Sequence, residues 1–227
     1  MRHRAASWVV FTDLDGTLLD HATYRWEAAQ GALETLRDSR VPLIAVSSKT
    51  RAEVQRILSR LGRRAPFVVE NGGGIYLPAG YFPFRVKSAV SAGKGWLRVG
   101  LGTARPQLLP ALAQASKRAA VRVRGFAAMN AREIAERTGL SLAGARRAAQ
   151  REFDEPFAIL DADRNAAARL KVQIQRRGLT MTRGSRFFHI LGGNDKGDAV
   201  WKLTAWFYRA FGHPVSTIGL ARVDARR

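Results

Sequence analysis

Three short apolar runs, each halting in polar or glycine-rich residues, restrict this chain to few architectures. Trp8-Val9-Val10-Phe11-Thr12 stops at Asp13-Leu14-Asp15-Gly16. Val41-Pro42-Leu43-Ile44-Ala45-Val46 stops at Ser47-Ser48, and Phe67-Val68-Val69 stops at Glu70-Asn71-Gly72-Gly73-Gly74. Runs of this length with β-branched members suit strands covered on both faces. Between them apolar residues fall at helical spacing over 24–38 (Trp26, Ala29, Ala32, Leu33, Leu36). They do so again over 50–61 (Val54, Ile57, Leu58, Leu61), where Gly62 serves as a stop. Strand, helix, strand, helix, strand is the repeat of a doubly wound α/β domain, which places ligands at the carboxyl ends of its strands. The three run ends agree on where such a site would lie.

From about Ser88 the pattern changes. Gly93, Gly95, Gly100 and Gly102 punctuate the chain, and helical spacings follow over 106–119, 131–138 and 142–152. Ser141 is placed to cap the last of these. Strand-like runs occupy Phe157-Ala158-Ile159-Leu160 and Phe187-Phe188-His189-Ile190-Leu191. The first architecture resumes at Gly192, with a helix over 196–210 and a strand at Val215-Ser216-Thr217-Ile218. The expected organisation is a core of residues 1–85 and 185–227 interrupted by an inserted second domain, 86–184.

The 227 residues include no cysteine, which excludes disulfides and thiolate metal sites and makes a reducing cytoplasm the expected compartment. No apolar run approaches the roughly 20 residues that span a bilayer, and the basic start, Met1-Arg2-His3-Arg4, is not followed by a signal-peptide pattern. Thirty-eight basic residues, 31 of them arginine, against 18 acidic ones give a net charge of +20. Such a field attracts polyanions. The charge is spread along the chain, however, without a nucleic-acid-binding motif or a long basic tail. Specific nucleic-acid binding is therefore not expected, whereas an anionic small-molecule substrate is. Oligomeric state is not legible.

The sharpest chemical signal is Asp13-Leu14-Asp15-Gly16-Thr17 at the end of the first strand. Two carboxylates two residues apart fall on the same side of an extended chain, and the turn that Gly16 permits after the strand can hold them close together. Placed that close, they resist joint ionisation unless a cation neutralises them or one takes a proton. Both outcomes serve phosphoryl transfer. Magnesium prefers carboxylate, phosphate and water oxygens, and a protonated aspartate can supply a proton to a leaving alcohol.

Continued as Leu18-Leu19-Asp20, this segment resembles the first motif of the haloacid dehalogenase superfamily. The resemblance implies Asp13 as a nucleophile that forms an aspartyl-phosphate and Asp15 as general acid and then base, both beside magnesium. Ser47 and Lys196, in Gly192-Gly193-Asn194-Asp195-Lys196-Gly197, stand where that superfamily places a phosphate-binding hydroxyl and a phosphate-stabilising lysine. Ser47-Ser48-Lys49-Thr50, Val69-Glu70-Asn71-Gly72-Gly73, Gly125-Phe126 with Met129, Thr138-Gly139-Leu140, Arg151-Glu152-Phe153-Asp154-Glu155-Pro156-Phe157 and Arg186-Phe187-Phe188-His189 narrow the match. In order along most of the chain, they resemble mannosyl-3-phosphoglycerate phosphatases. The implied fold is a Rossmann-like core with a parallel sheet and an inserted α/β cap of C2 type. The implied reaction is magnesium-dependent hydrolysis of a glycosyl-3-phosphoglycerate, yielding a compatible solute such as mannosylglycerate.

That substrate carries a phosphate and a carboxylate, and arginine holds either through paired hydrogen bonds. Lys49, Arg151 and Arg186 are the candidate anion-binding residues, each in a matching segment. Asn71 with Gly72 either meets the sugar or makes a turn. His189, between apolar residues, reads as packing. The chain departs from the superfamily after Ile218: Gly-Asp-Ser-x-x-Asp is expected there, but Gly219-Leu220-Ala221-Arg222-Val223-Asp224 follows. The expectation is a core shortened at its C-terminal part; whether Asp224 replaces the lost carboxylate is left open, because the arginines on both sides of it argue against a tight cation site. That departure leaves one alternative, a homologue that binds phosphorylated ligands without turning them over. Glucosyl-3-phosphoglycerate or sucrose phosphate are the other expected substrates of the same fold.

Overall fold

The structure, a computed structural model, describes residues 8–20, 23–184 and 186–221. β1 (Trp8–Thr12), α1 (Gln30–Asp38), β2 (Leu43–Val46), α2 (Arg51–Arg60) and β3 (Phe67–Val69) realise the expected repeat, with the strands paired in parallel. Side chains alternate across each strand. Val9, Phe11, Ile44 and Val46 pack into one cluster, while Val10, Leu43 and Ala45 pack on the opposite face toward Leu33, Val54 and Leu58. Both faces are therefore covered, as the uninterrupted apolar runs require. Thr50 caps α2 in a reciprocal box with Glu53. The first expected helix is shorter than its spacing suggests: Trp26 precedes a single 3-10 turn, and α1 begins only at Gln30.

β4 (Gly74–Pro78), β5 (Val90–Ser91) and β6 (Trp96–Gly100) extend the same sheet antiparallel to β3 and to one another. The sheet is thus mixed rather than wholly parallel. The glycines at 93 and 95, both at positive φ, turn β5 into β6, and Val99 joins the core cluster of β1 and β2. The second unit then builds α3 (Arg105–Ala119), β7 (Val123–Gly125), α4 (Ala131–Thr138), α5 (Leu142–Ala148), β8 (Asp154–Ile159), α6 (Ala166–Gln175), β9 (Thr180–Arg183) and β10 (Phe188–Leu191). Its four strands form an antiparallel sheet in the order β7-β8-β10-β9, and Leu108, Leu112, Leu170 and Ile174 of α3 and α6 cover it. Ser141 caps α5 as its position suggests.

α7 (Lys196–Phe211) and β11 (Ser216–Leu220) return to the first sheet, whose order is β11-β1-β2-β3-β4-β6-β5. Ala199, Leu203 and Phe207 of α7 close its face over Val9 and Phe11. Sheet membership shifts the expected division at both ends. Residues 86–102 carry two strands of the larger sheet, and β10, expected in the core, pairs with β8 and β9 of the smaller one. The insertion thus begins after β6 and ends with β10. α6 has no counterpart among the expected helices. No described helix is long and apolar enough to cross a membrane.

Candidate active site

β1 ends at Thr12, and the backbone N–H of Asp13 still donates to Leu220 of β11 at 2.9 Å. The chain then folds back: Gly16, at φ 69°, donates to Leu19, and Asp15 forms an isolated bridge with Leu19. This tight return carries two acids into one region. Each acid meets its own lysine. Lys196 Nζ lies 3.0 Å from Asp13 Oδ2, and Lys49 Nζ lies 2.9 Å from Asp15 Oδ2. Asp13 Oδ1 also accepts from the N–H of Leu14 at 2.8 Å. Asp15 Oδ1 is buried without a protein partner.

The lysines arrive by different routes. Lys49 sits between β2 and the capped start of α2, its ammonium 5.1 Å from the centre of the Tyr24 ring. Lys196 is the first residue of α7, after Asp195, whose carboxylate caps the helix by accepting from Asp198 N–H at 2.9 Å. Ser47 is fully buried; its Oγ accepts from Lys49 N–H at 3.2 Å, and its carbonyl accepts from Asn71 N–H. Asn71 is left-handed at φ 56°, and the Asn194 side-chain amide donates to its carbonyl at 3.2 Å.

Two cavities, of about 580 and 520 Å³, open between these strand ends and the second sheet. The larger is lined by Asp15, Lys49, Arg151 and Arg186, with apolar Phe126 and Phe187 on the far wall. The smaller is lined by Asn71, Lys196 and Arg183. Ser48 and His189 line both. Of the sequence candidates, Asp15, Lys49, Asn71, Arg151, Arg186 and Lys196 therefore face the cleft, while Asp13 reaches it through Lys196. Ser47 and Gly72 line neither cavity. Asp224 lies outside the described residues.

Gly72 takes the structural one of its two expected roles, and the roles of Arg151 and His189 differ from expectation. A Cβ on Gly72 would stand 1.8 Å from the carbonyl oxygen of Asp195, so this glycine seats α7 against β3 rather than touching a ligand. Arg151 is mostly enclosed: its guanidinium spans Asp154 Oδ2 at 3.0 Å and the carbonyls of Ser48 and Ala148. It ties the two units together more than it presents free donors. His189 is not simple packing, because its Nδ1 lies 2.8 Å from the fully buried Asp154 carboxylate. Among the described residues no three His, Cys, Asp or Glu side chains gather into a ready metal site.

The run from Arg151 to Glu155 is a joint between the two units. Tyr76 and Arg98 of the larger sheet bond Glu152, and Arg105 and the N–H of Ala127 bond the buried Glu155. The Phe153 ring occupies the space that side chains at 73, 74 and 100 would fill, which explains the glycines there. Glu70, at the end of β3 and fully buried, accepts from the backbone N–H groups of Glu152 and Phe153. Burial raises its pKa from the usual 4.5 to about 7, against the opposing pull of Arg151 and those two donors. The folded state then holds the proton more tightly than the unfolded chain, so stability from this group is complete at low pH and declines as pH rises. Relative to Glu70→Gln, which stays neutral, the wild type should lose about 3 kcal/mol between pH 4.5 and about 7, and little more above. Denaturant unfolding of both proteins across that range measures the difference.

A parallel strand end bearing paired aspartates and lysines under an inserted α/β unit defines a haloacid dehalogenase-like hydrolase, and the description of that name matches residues 10–82. A haloacid dehalogenase-like hydrolase from B. subtilis, 14% identical, superposes with a TM-score of 0.56 over 93% of this chain and 81% of its own. A glucosyl-3-phosphoglycerate/mannosyl-3-phosphoglycerate phosphatase of Methanococcoides burtonii is 38% identical over 89% of this chain and 74% of its own. Its counterpart in Persephonella marina is 34% identical over 93% and 77%. Within that class, the chain belongs to the mannosyl-3-phosphoglycerate phosphatase family.

Proposed function

We propose that this phosphoric monoester hydrolase removes the phosphate from a glycosyl-3-phosphoglycerate, the mannosyl and glucosyl esters being its substrates. One observation carries the reading: the Asp13–Lys196 and Asp15–Lys49 pairs face a cleft whose opposite wall holds Arg186 and His189. Asp13 attacks phosphorus in line, forming an aspartyl-phosphate, and the bond to the glycerate oxygen breaks. Asp15 gives that oxygen a proton, then takes one from the water that hydrolyses the acyl phosphate. Lys196 stabilises the phosphoryl oxygens, and Ser47, enclosed at the end of β2, accepts from the N–H of Lys49 and so helps to place that residue. The orphaned Asp15 Oδ1 fits a cation, so Asp13 and Asp15 would hold a magnesium ion that drew its remaining oxygens from phosphate and water. When bound, magnesium would neutralise charge on the transferring group.

Phosphate release from mannosyl- and glucosyl-3-phosphoglycerate, with sucrose phosphate for comparison, tests the reading. Both glycosyl-3-phosphoglycerates should exceed sucrose phosphate in kcat/KM by about tenfold or more, and chelation of magnesium should abolish turnover. Equal rates on all three esters would remove the substrate assignment.

A further inference from the structure

The cleft wall opposite the catalytic aspartates is built around one side chain that packing alone does not account for. His189 stands on β10, in register with Pro156 of β8, and lines both cavities at once. Its Nδ1 faces Asp154, which is fully buried and also bound to Arg151 at 3.0 Å. A buried carboxylate held by an arginine only accepts hydrogen bonds, so Nδ1 carries a proton toward it. This contact fixes the ring's orientation. Nε2 is left as the free atom, close to Gly184: a Cβ there would stand 3.0 Å from it. Gly184 itself lines the smaller cavity, beside Arg183 and facing Lys196 and Asn71.

The charged groups around the cleft indicate what Nε2 meets. Lys49, Lys196 and Arg151 are each committed to a carboxylate, Asp15, Asp13 and Asp154 respectively. Arg183 rests on the Phe188 ring, and Arg186 makes one long bond to the Arg137 carbonyl. Among the described residues the acids lining the cavities are Asp15, Glu53 and Asp195, the first paired with Lys49 and the other two with helix starts. The cleft thus offers uncommitted positive charge near His189, and a second anionic group of the substrate is the ligand it suits.

We propose that His189 is a specificity-determining residue that binds the glycerate carboxylate through Nε2, with Asp154 and Arg151 as the positioning residues behind it. The proposal rests on a phosphoglycerate ester being the substrate. In such an ester the carboxylate is only a few bonds from the phosphate, so a group facing the phosphate site across the cleft is within reach of it. A substrate carboxylate at Nε2 and Asp154 at Nδ1 make the ring a bridge between substrate and cap.

The test compares 3-phosphoglycerate with glycerol 3-phosphate, which carries the same phosphate ester without the carboxylate. The wild type should prefer 3-phosphoglycerate in kcat/KM. His189→Asn keeps an amide near the position of Nδ1, and so the Asp154 contact, but nothing at the position of Nε2. It should lose about 10- to 100-fold on 3-phosphoglycerate, mainly in KM, with glycerol 3-phosphate changed less than about twofold. His189→Gln, whose amide reaches the place of Nε2, should recover part of the preference. Parallel losses on both esters, an unchanged ratio in His189→Asn, or a wild type without preference would each overturn the proposal. Turnover of the complete glycosyl-3-phosphoglycerates by the wild type is scored separately and decides the substrate reading itself.

Discussion

Asp13→Asn should lower kcat for phosphate release by about four orders of magnitude while leaving the fold intact. The size of the loss follows from what an amide cannot do. It is a poor nucleophile toward phosphorus, and among the described residues no neighbouring side chain is placed to replace it: Asp15 is engaged with Lys49 and lies in the turn beyond. The fold should tolerate the change because Asn keeps the oxygen that accepts from Leu14 N–H, and because Asp13 belongs to none of the packed apolar clusters. The Lys196 pair is partly solvated, with 35% and 25% of the two side chains exposed, so its loss costs under about 1 kcal/mol. Phosphate release and thermal melting, measured on the same preparation, check both halves. Substantial residual turnover in a folded variant would mean that a different group attacks phosphorus.

The parts of this protein legible in its sequence are those governed by local rules. Apolar runs with both faces covered marked β1, β2 and β3, and Ser141 announced the start of α5, because strand burial and helix capping are written in neighbouring residues. The aspartates and Lys196 were legible through motif, although they lie far apart in the chain. Long-range pairing was not legible. Nothing local tells β6 to join β4 rather than begin the insertion, or β10 to pair with β8, since both choices are set by partners distant in sequence. The same limit hid His189. Its apolar neighbours suggest packing, and only the register of β10 against β8 brings it to Asp154 and the cleft. Glu70 has no role that the sequence alone shows, because its role depends on two backbone N–H groups that arrive from the other unit. A buried acid beside a glycine turn was the available signal, and it gains meaning only with the joint in view.

Gly72→Ala should destabilise the protein by about 3 kcal/mol or more and lower kcat by about 100-fold, though residue 72 touches no ligand. The backbone here has φ 91°, a region a Cβ rarely tolerates, and the added methyl would stand 1.8 Å from Asp195 O and 2.3 Å from its carbonyl carbon. Neither obstacle is a flexible side chain. Relief requires moving the start of α7 away from the end of β3, and the first residue of that helix is Lys196. Its ammonium would leave Asp13, and with it the charge that steadies the phosphoryl group. Gly193→Ala is the matched comparison, because it too has a positive φ, 76°, but nothing stands within 4 Å of the added atom. It should cost only the backbone strain, about 1 kcal/mol. Melting curves and phosphate release on the two variants therefore separate conformational strain from displacement of the lysine. Similar behaviour in the two would mean that the β3–α7 contact does not hold Lys196 in place.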